Sequence, residues 1–374
     1  MPRLASSLLR RAYSFDPLLP LLLRECRDLD SARNELRWLR EHVHSLNTLH
    51  TRSNIWQRRQ LKSMVRDRAR GKPLQYILGD QPFGELEILC RKGVLIPRLE
   101  TESYTFRTAR LILSQLTARS SSTVPFRILD LCTGTGCIPL LLHSLLAPSI
   151  PNLTIAGIDI SSQALSLAKR NLAHNIAQGH LLPRAKQDVH FLQADVLHET
   201  SAIIPPLQRL LSTESHAERS STQWDVLISN PPYISPLDFG NGTTKRSVRR
   251  YEPALALVPP PLTSSYPQPH RSHGSEFDKD ARMTAQQDSF YPPLLDIAAH
   301  VGARLAVLEC GDPAQARRIV RLIARKGRSG SPGSELKAEV WKCDDLGGED
   351  VFASNEDIAD SDQKGARAVA IYRV

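Results

Sequence analysis

The sequence predicts an α/β fold on a mainly parallel β-sheet, because short apolar strands alternate with amphipathic helices from residue 126 onward. Apolar runs indicate five strands, at residues 127–131, 153–159, 189–194, 224–229 and 305–310. Apolar residues at helical spacing indicate helices at 138–146, 162–174, 291–300 and 313–325. Two later runs, 339–342 and 366–372, predict an antiparallel pair at one edge, which completes a seven-stranded mixed sheet.

The first part of the chain predicts a small helical domain over residues 15–79. Leu36, Leu39 and Val43 fall at helical spacing, and a second helix is expected from about Asn54. The other face of that second helix is basic and carries Arg58, Arg59, Lys62, Arg66, Arg68 and Arg70. Such a face is either solvated or in contact with an anionic partner.

Two short apolar segments, 86–89 and 93–96, predict a hairpin within residues 80–99 that links the helical domain to an α/β domain over 100–374. Three stretches of that second domain are rich in polar and charged residues, namely 200–223, 259–287 and 354–363. We expect them to be surface loops or disordered insertions, because such compositions do not build a core.

The first residues have the composition of a mitochondrial targeting segment. Residues 1–14 contain Arg3, Arg10 and Arg11, several Leu, Ala and Ser, and no acidic residue. An arginine two residues before Tyr13 also resembles a matrix-protease site. The sequence therefore predicts a transit peptide over 1–14 and location in the mitochondrial matrix, and a frayed basic terminus is the alternative.

Composition sets limits on the class of protein. The 374 residues are 41% hydrophobic and 23% charged, with a formal net charge of +9. The six cysteines form no CxxC pair, so we expect reduced thiols and no metal site. No apolar run approaches the roughly 20 residues that a membrane-spanning helix needs. We expect no membrane association and a monomer.

A glycine-rich turn follows the first strand of the α/β domain. It contains Asp130, Cys132, Thr133, Gly134, Thr135 and Gly136. Glycine lets the backbone turn tightly and approach a ligand at a helix N-terminus. The turn matches neither G-x-G-x-x-G nor the P-loop, so nothing in it indicates a phosphate site.

Two further strands end in acids. Asp159 lies about 20 residues beyond the glycines, the spacing at which an acid meets ribose hydroxyls in dinucleotide-binding folds. Asp195, followed by Val196, ends the next strand, where it could face an adenine amino group. Each Asp alone could equally be a helix cap or a turn residue. Together with the glycine turn they favour a nucleoside-containing cofactor.

The fourth strand ends at Asn230, which is followed by Pro231, Pro232 and Tyr233. The two prolines lack an N–H and have a fixed φ, so they end the strand and display Asn230 at its carboxyl end. In open α/β sheets ligands bind at that edge.

These motifs resemble those of class I methyltransferases that use S-adenosylmethionine, which have a Rossmann-like fold. Asn-Pro-Pro-Tyr is similar to the motif of enzymes that methylate a nitrogen attached to an sp² carbon. The segments 71–79, 94–102 and 251–257 resemble those of the HemK-type release-factor glutamine methyltransferases, and a mitochondrial member fits best. Cys132 stands where that family often has glycine, and Leu99 where it usually has proline.

The resemblance implies a substrate and residue roles. The substrate would be the glutamine of a Gly-Gly-Gln motif in a mitochondrial peptide-chain release factor. The side-chain oxygen of Asn230 and the carbonyl of Pro231 would hold its amide, Pro232 would keep the turn rigid, and Tyr233 would offer an aromatic wall. The donor would be bound by the turn 130–136 with Asp159, Asp195, Val196 and Asn230.

Two other functions stay open at this point. A DNA adenine N6-methyltransferase could use the same corner, although the chain shows no further domain for holding a flipped base, so no direct DNA binding is expected. A donor-binding protein without catalysis that assists ribosome assembly is the other alternative.

Overall fold

A computed structural model describes residues 3–48, 53–116, 125–197, 203–212, 223–262, 276–329, 336–342 and 365–373. The chain divides into two units. The first comprises Met1–Asp80, Cys90–Lys92 and Thr244–Glu252, and the second comprises Gln81–Leu89, Gly93–Thr243 and Pro253–Val374.

The first unit is helical. Its first five helices are α1 (Ser6–Phe15), α2 (Leu19–Cys26), α3 (Leu29–Thr48), α4 (Asn54–Ala69) and α5 (Leu74–Leu78). Their apolar faces form one core around Leu22, Leu39 and Val65. The residues predicted as a transit peptide include most of α1, and Ala12 is buried in this core. Their targeting role stays a prediction.

The predicted basic face of α4 is only partly a solvent face. Arg68 is largely buried, and its guanidinium donates to both carboxylate oxygens of Glu35 at 2.8 and 2.9 Å. This two-bond pairing is the geometry in which an arginine can be buried without losing its partners. Arg68 therefore holds α4 against α3.

The other described residues form nine strands, ten further helices and two short segments of other helix types; α12 and the first residue of β1 belong to the first unit, and the rest to the second. The strands are β1 (Asp80–Phe83), β2 (Leu86–Leu89), β3 (Phe126–Leu131), β4 (Leu153–Asp159), β5 (Val189–Gln193), β6 (Val226–Ser229), β7 (Leu305–Glu309), β8 (Leu336–Lys342) and β9 (Ala366–Arg373). The helices are α6 (Leu99–Leu111), continued by a π-helical turn at Ile112–Leu116, then α7 (Cys137–Leu146), α8 (Ser162–Ala177), α9 (Ala185–Asp188), α10 (Ile204–Ser212), α11 (Pro236–Gly240), α12 (Arg246–Tyr251), a 3₁₀ turn at Ala254–Ala256, α13 (Glu276–Gln287), α14 (Tyr291–His300) and α15 (Pro313–Ser329).

The main sheet has seven strands in the order β5-β4-β3-β6-β7-β9-β8. Strands β3 to β7 are parallel to one another, whereas β9 runs antiparallel to both β7 and β8. Helices α6, α7 and α8 bury their apolar sides on one face of the sheet, and α10, α14 and α15 on the other. The predicted seven-stranded mixed sheet of an α/β fold is confirmed.

The predicted hairpin forms with a different first strand. Its two strands are β1 and β2, joined by a turn in which Gly84 has a φ of +57°. The prediction that residues 93–96 form the second strand is wrong. Val94 and Ile96 are buried in an extended loop instead, so their apolar character reflects packing and not strand pairing.

The prediction that three polar stretches are surface loops or disordered insertions is also partly wrong. Residues Ile204–Ser212 form α10, and Ile203 and Leu207 are buried in the core on that face of the sheet. Pro205 and Pro206 interrupt this apolar spacing in the sequence, but prolines in the first turn of a helix are tolerated. The stretch 259–287 ends in α13, whereas 354–363 lies outside the described residues.

Two buried asparagines of α8 hold β2 in place. Asn171 accepts a hydrogen bond from the Leu89 N–H at 2.8 Å and donates to the Thr135 carbonyl at 2.9 Å. Asn175 accepts from the Glu87 N–H at 3.0 Å and donates to the Glu87 carbonyl at 2.9 Å. Side-chain amides thus satisfy the edge of β2, and the one at 171 also fixes the glycine-rich turn.

We expect Asn171→Ala to lower the free energy of unfolding by about 2–4 kcal/mol, because it leaves a buried N–H and a buried carbonyl without partners. Urea unfolding measures this loss. Lys169→Ala, on the exposed side of the same helix, is the matched control and should change the free energy by less than about 0.5 kcal/mol. Equal values for the two variants would contradict the role given to Asn171.

Candidate active site

The carboxyl ends of β3, β4 and β6 lie side by side. The strands are parallel and in register, with Asp130 beside Gly157 and Leu131 beside Ser229. The turns that follow these strands therefore meet at one edge of the sheet. The sequence predicts its site residues in those turns and in the one after β5.

A cavity of about 300 Å³ opens at this edge. That volume lies at the lower end of the range for small-molecule sites. Nine of the predicted site residues line it: Cys132, Thr133, Gly134, Thr135, Asp159, Asp195, Val196, Asn230 and Pro232. Four others, Asp130, Gly136, Pro231 and Tyr233, are not among its lining residues. The structure thus brings residues of the predicted donor and substrate motifs to one cavity.

The glycine-rich turn depends on its glycines in two ways. A Cβ on Gly136, whose φ is +77°, would lie 2.9 Å from the Phe191 ring and 3.0 Å from the Ala168 Cβ. A Cβ on Gly134, whose φ is +56°, would meet no atom within 4 Å. Gly136 therefore allows close packing of the turn on β5 and α8, whereas Gly134 leaves room for a ligand against the backbone.

Cys132 adopts a left-handed conformation with a φ of +63°. This is one of only two such non-glycine residues in the described part of the chain. The conformation costs little for glycine and more for a residue with a Cβ. The geometry explains why glycine suits this position, and it shows that the cysteine side chain lines the cavity at the cost of some backbone strain.

Asp159 is the acid that bridges the glycine turn and α8. Its carboxylate accepts hydrogen bonds from the Gly134 N–H at 2.9 Å and the Ser161 N–H at 2.8 Å. Burial raises the pKa of this carboxyl group, and the backbone donors counter the shift. Because each carboxylate oxygen has two lone pairs, both can accept a further bond from a ligand in the cavity.

Asp195 lines the same cavity beyond β5. One of its oxygens accepts from the Leu197 N–H at 2.9 Å, which fixes the turn after that strand. Val196 beside it is buried and contributes an apolar surface.

Asp130 is buried behind the turn. By hydrogen-bond geometry neither of its carboxylate oxygens has a partner in the described part of the chain, although the Thr133 side chain lies close enough to favour the ionised form. Burial raises the pKa of Asp130 well above its ordinary value; the Thr133 side chain partly offsets this, and the charge of Asp159 adds to it. Asp159 and Asp195, which line the cavity beside the turn, are the acidic side chains that favour a cationic ligand there.

Asn230 is held by a chain of hydrogen bonds that the sequence did not reveal. Its Nδ2 donates to the Thr101 Oγ1 at 3.2 Å, and the Thr101 hydroxyl donates to a Glu309 carboxylate oxygen at 2.7 Å. The other Glu309 oxygen accepts from the Tyr233 hydroxyl at 2.9 Å. One sequence signal was available, since Glu309 is a lone acid at the end of an apolar strand, like Asp159.

Tyr233 lies behind the cavity wall. A Cβ on Gly311 would lie 3.0 Å from the ring of Tyr233, a tight contact that a larger residue could keep only if the ring shifted. Gln315, fully buried, accepts from the Gly311 N–H at 2.8 Å and fixes the same loop. Burial raises the pKa of the Tyr233 hydroxyl, and the adjacent Glu309 adds to the shift, so Tyr233 remains a hydrogen-bond donor.

The extended loop 94–98 forms another part of the cavity wall. Leu99, which follows it, is 71% exposed and is not among the lining residues. The leucine side chain at this position is therefore not part of the cavity wall. Among the described residues, no cluster of His, Cys, Asp and Glu suits a metal ion, and no helix is long and apolar enough to cross a membrane.

The chain is similar to a known protein family and to several known proteins. A family model described as the PrmC N-terminal domain matches residues 22–79. The mitochondrial MRF1 N(5)-glutamine methyltransferase MTQ1 of Saccharomyces cerevisiae is 38% identical over 258 residues, which cover 69% of this chain and 68% of the yeast protein. The probable MRF1 mitochondrial N(5)-glutamine methyltransferase mtq1 of Schizosaccharomyces pombe is also 38% identical, over 66% of this chain and 70% of that protein.

Among solved structures, the delta-N METTL16 MTase domain is 13% identical, with a TM-score of 0.41, and covers 75% of this chain and 84% of that one. The two yeast relatives show the family of this chain, since each is aligned over more than two thirds of its own length. The resemblance predicted from the sequence motifs is confirmed, and the chain belongs to the release-factor N5-glutamine methyltransferase family.

Proposed function

We propose that this protein transfers a methyl group from S-adenosylmethionine to the side-chain nitrogen of the glutamine in a Gly-Gly-Gln motif of a mitochondrial peptide-chain release factor. The observation that carries the proposal is Asn230, whose side chain lines the cavity beside the acidic turn and whose Nδ2 is engaged by Thr101. The names of the yeast relatives support the substrate and the organelle. The predicted transit peptide supports the matrix.

The cavity fits the donor in charge and shape. Bound S-adenosylmethionine supplies an electrophilic methyl group on a sulfonium. Asp159 has acceptor capacity for the ribose hydroxyls, and Asp195 for the adenine amino group. The acidic side chains of Asp159 and Asp195 favour a positively charged ligand in the cavity, and the open space at Gly134 admits it against the backbone.

The substrate end of the cavity suits a carboxamide. The nitrogen of an amide is a poor nucleophile because its lone pair is delocalised into the carbonyl group. Acceptors that hold its two hydrogens orient the lone pair and stabilise the positive charge that develops on nitrogen. The Asn230 Oδ1 is one acceptor, and the Pro231 carbonyl is the second that the sequence resemblance implies, although Pro231 is not among the lining residues. Pro232 restricts the backbone between them and Tyr233. The aromatic wall assigned to Tyr233 stays a prediction.

The function is tested by incubating the protein with methyl-labelled donor and a mitochondrial release factor. Mass spectrometry should find one added methyl group on the glutamine of Gly-Gly-Gln. A release factor with Gly-Gly-Ala in its place is the control and should remain unlabelled. Label in DNA under the same conditions, with none in the release factor, would overturn the proposal.

We expect Asn230→Ala to lower kcat on the order of 10²–10³-fold, by analogy with the loss of one transition-state partner. The dissociation constant for the donor, measured by calorimetry, should change much less. Asn152→Ala is the matched control, because Asn152 precedes β4 at the opposite edge of the sheet, and it should keep normal turnover. Near-normal turnover of Asn230→Ala would remove Asn230 from the mechanism.

We expect Asp130→Asn to stabilise the folded protein at neutral pH. The folded-state pKa of Asp130 is raised above the unfolded value, so the folded protein binds its proton more tightly, and this contribution to stability is lost as pH rises through the folded-state pKa. The variant should therefore unfold at a higher temperature than wild type at pH 7–8, with the gap closing toward about pH 4. A variant less stable than wild type at pH 8 would contradict this account.

A further inference from the structure

Glu309 connects the two ends of the Asn-Pro-Pro-Tyr corner. It is the last residue of β7 and is 1% exposed. One carboxylate oxygen accepts from Thr101, which contacts Asn230, and the other accepts from Tyr233. A single buried anion therefore holds the residues at positions 230 and 233 through separate oxygens.

The direction of these bonds is fixed by the chemistry of the groups. An ionised carboxylate only accepts hydrogen bonds, so the one hydroxyl proton of Thr101 must be donated to Glu309. The Thr101 oxygen can then act toward Asn230 only as an acceptor. Of the two ends of the Asn230 carboxamide, only the NH₂ donates, so this end faces Thr101 and Oδ1 is left for another partner.

We propose that Glu309 is a positioning residue that determines, through Thr101, which end of the Asn230 carboxamide is presented to the substrate. The proposal rests on the proposed function, in which the substrate offers an NH₂ group that needs an acceptor. With the carboxamide of Asn230 reversed, two NH₂ groups would face each other and neither could accept. Because the oxygen and the NH₂ of a carboxamide are nearly equal in size, packing alone does not exclude the reversed form.

The surroundings of Glu309 suit this task. Burial raises the pKa of Glu309, the hydrogen-bonding side chains of Thr101, Tyr233 and Tyr104 lower it, and Glu100 raises it. The donors stabilise the ionised form, which is the form that accepts from both sides. Glu309 does not line the cavity, so it acts on the substrate only through other residues.

The direct test is Glu309→Gln, which keeps the size of the side chain but adds a donor. The new NH₂ can donate to Thr101, which frees the Thr101 hydroxyl to donate to the Asn230 Oδ1 and reverses the carboxamide. We expect kcat for methylation of the release factor to fall about 10–100-fold, a part of the loss expected for removing the acceptor altogether. The dissociation constant of the donor and the KM for the release factor should stay within about threefold, a split that general unfolding would not produce.

A second pair of variants tests the route through Thr101 and does not depend on the folding of Glu309→Gln. Thr101→Ser keeps the hydroxyl and should retain turnover within about threefold, whereas Thr101→Val removes it and should lower kcat about 10–100-fold. Thr108→Val is the matched control, because Thr108 is buried on the same helix and donates only to the Tyr104 carbonyl at 2.7 Å among the bonds described. It should keep normal turnover.

Combining Glu309→Gln with Thr101→Val completes the cycle. If Glu309 acts through Thr101, the double variant should be no more than about threefold slower than the slower single variant. Multiplied losses would overturn the proposal. So would normal turnover of Thr101→Val, or of a folded Glu309→Gln.

Failure of the proposed function gives a different result. Wild-type protein that methylates no release factor would count against that function. Wild-type activity that survives in both Thr101→Val and Glu309→Gln would count against the positioning role alone.

Discussion

Buried carboxyl groups at one edge of a parallel sheet are the constraint on which the site depends. An ion placed between two apolar layers is destabilised unless donors or opposite charges compensate it. Asp159 and Glu309 receive donors from the chain itself, Asp159 from backbone N–H groups and Glu309 from hydroxyls. Asp130 receives none among the described residues. The compensated acids hold the loops in shape, whereas burial favours the protonated form of Asp130.

The backbone of the sheet, and not contacts between side chains, brings these acids to one edge. Parallel strands β3, β4 and β6 end at the same edge. Glycines shape the turn after β3 in two ways, by allowing close packing and by leaving space. Gly136 and Gly157 are required by close packing against Phe191, whereas Gly134 is open on its cavity side. The backbone of the turn is therefore shaped by packing at its base and left clear at its tip, where a ligand is expected.

Sequence patterns predicted the features that are local in the chain. Each apolar run, the glycine turn and the polar residue after each strand can be recognised within a few residues of sequence. Most of the site residues predicted from them line one cavity. Thr101 and Glu309 were missed because they meet across 208 residues of sequence, and neither belongs to a local pattern with the other. The hairpin strand at 93–96 was mispredicted because buried apolar residues in an extended loop have the same composition as a strand.

The contact between Thr101 and Glu309 also explains why a costly buried acid suits this corner. An apolar residue at position 309 would avoid the desolvation penalty, and a neutral amide would fill the space, but neither would give the Thr101 hydroxyl a fixed direction. Only a group without protons to donate forces every neighbour to point its hydrogen inward. The Tyr233 and Thr101 hydroxyls both do so. Because Thr101 donates to Glu309, it can only accept from Asn230, which fixes the direction of that hydrogen bond. The burial of Glu309 thus contributes orientation more than stability, which is what a site that recognises an amide by its hydrogens requires.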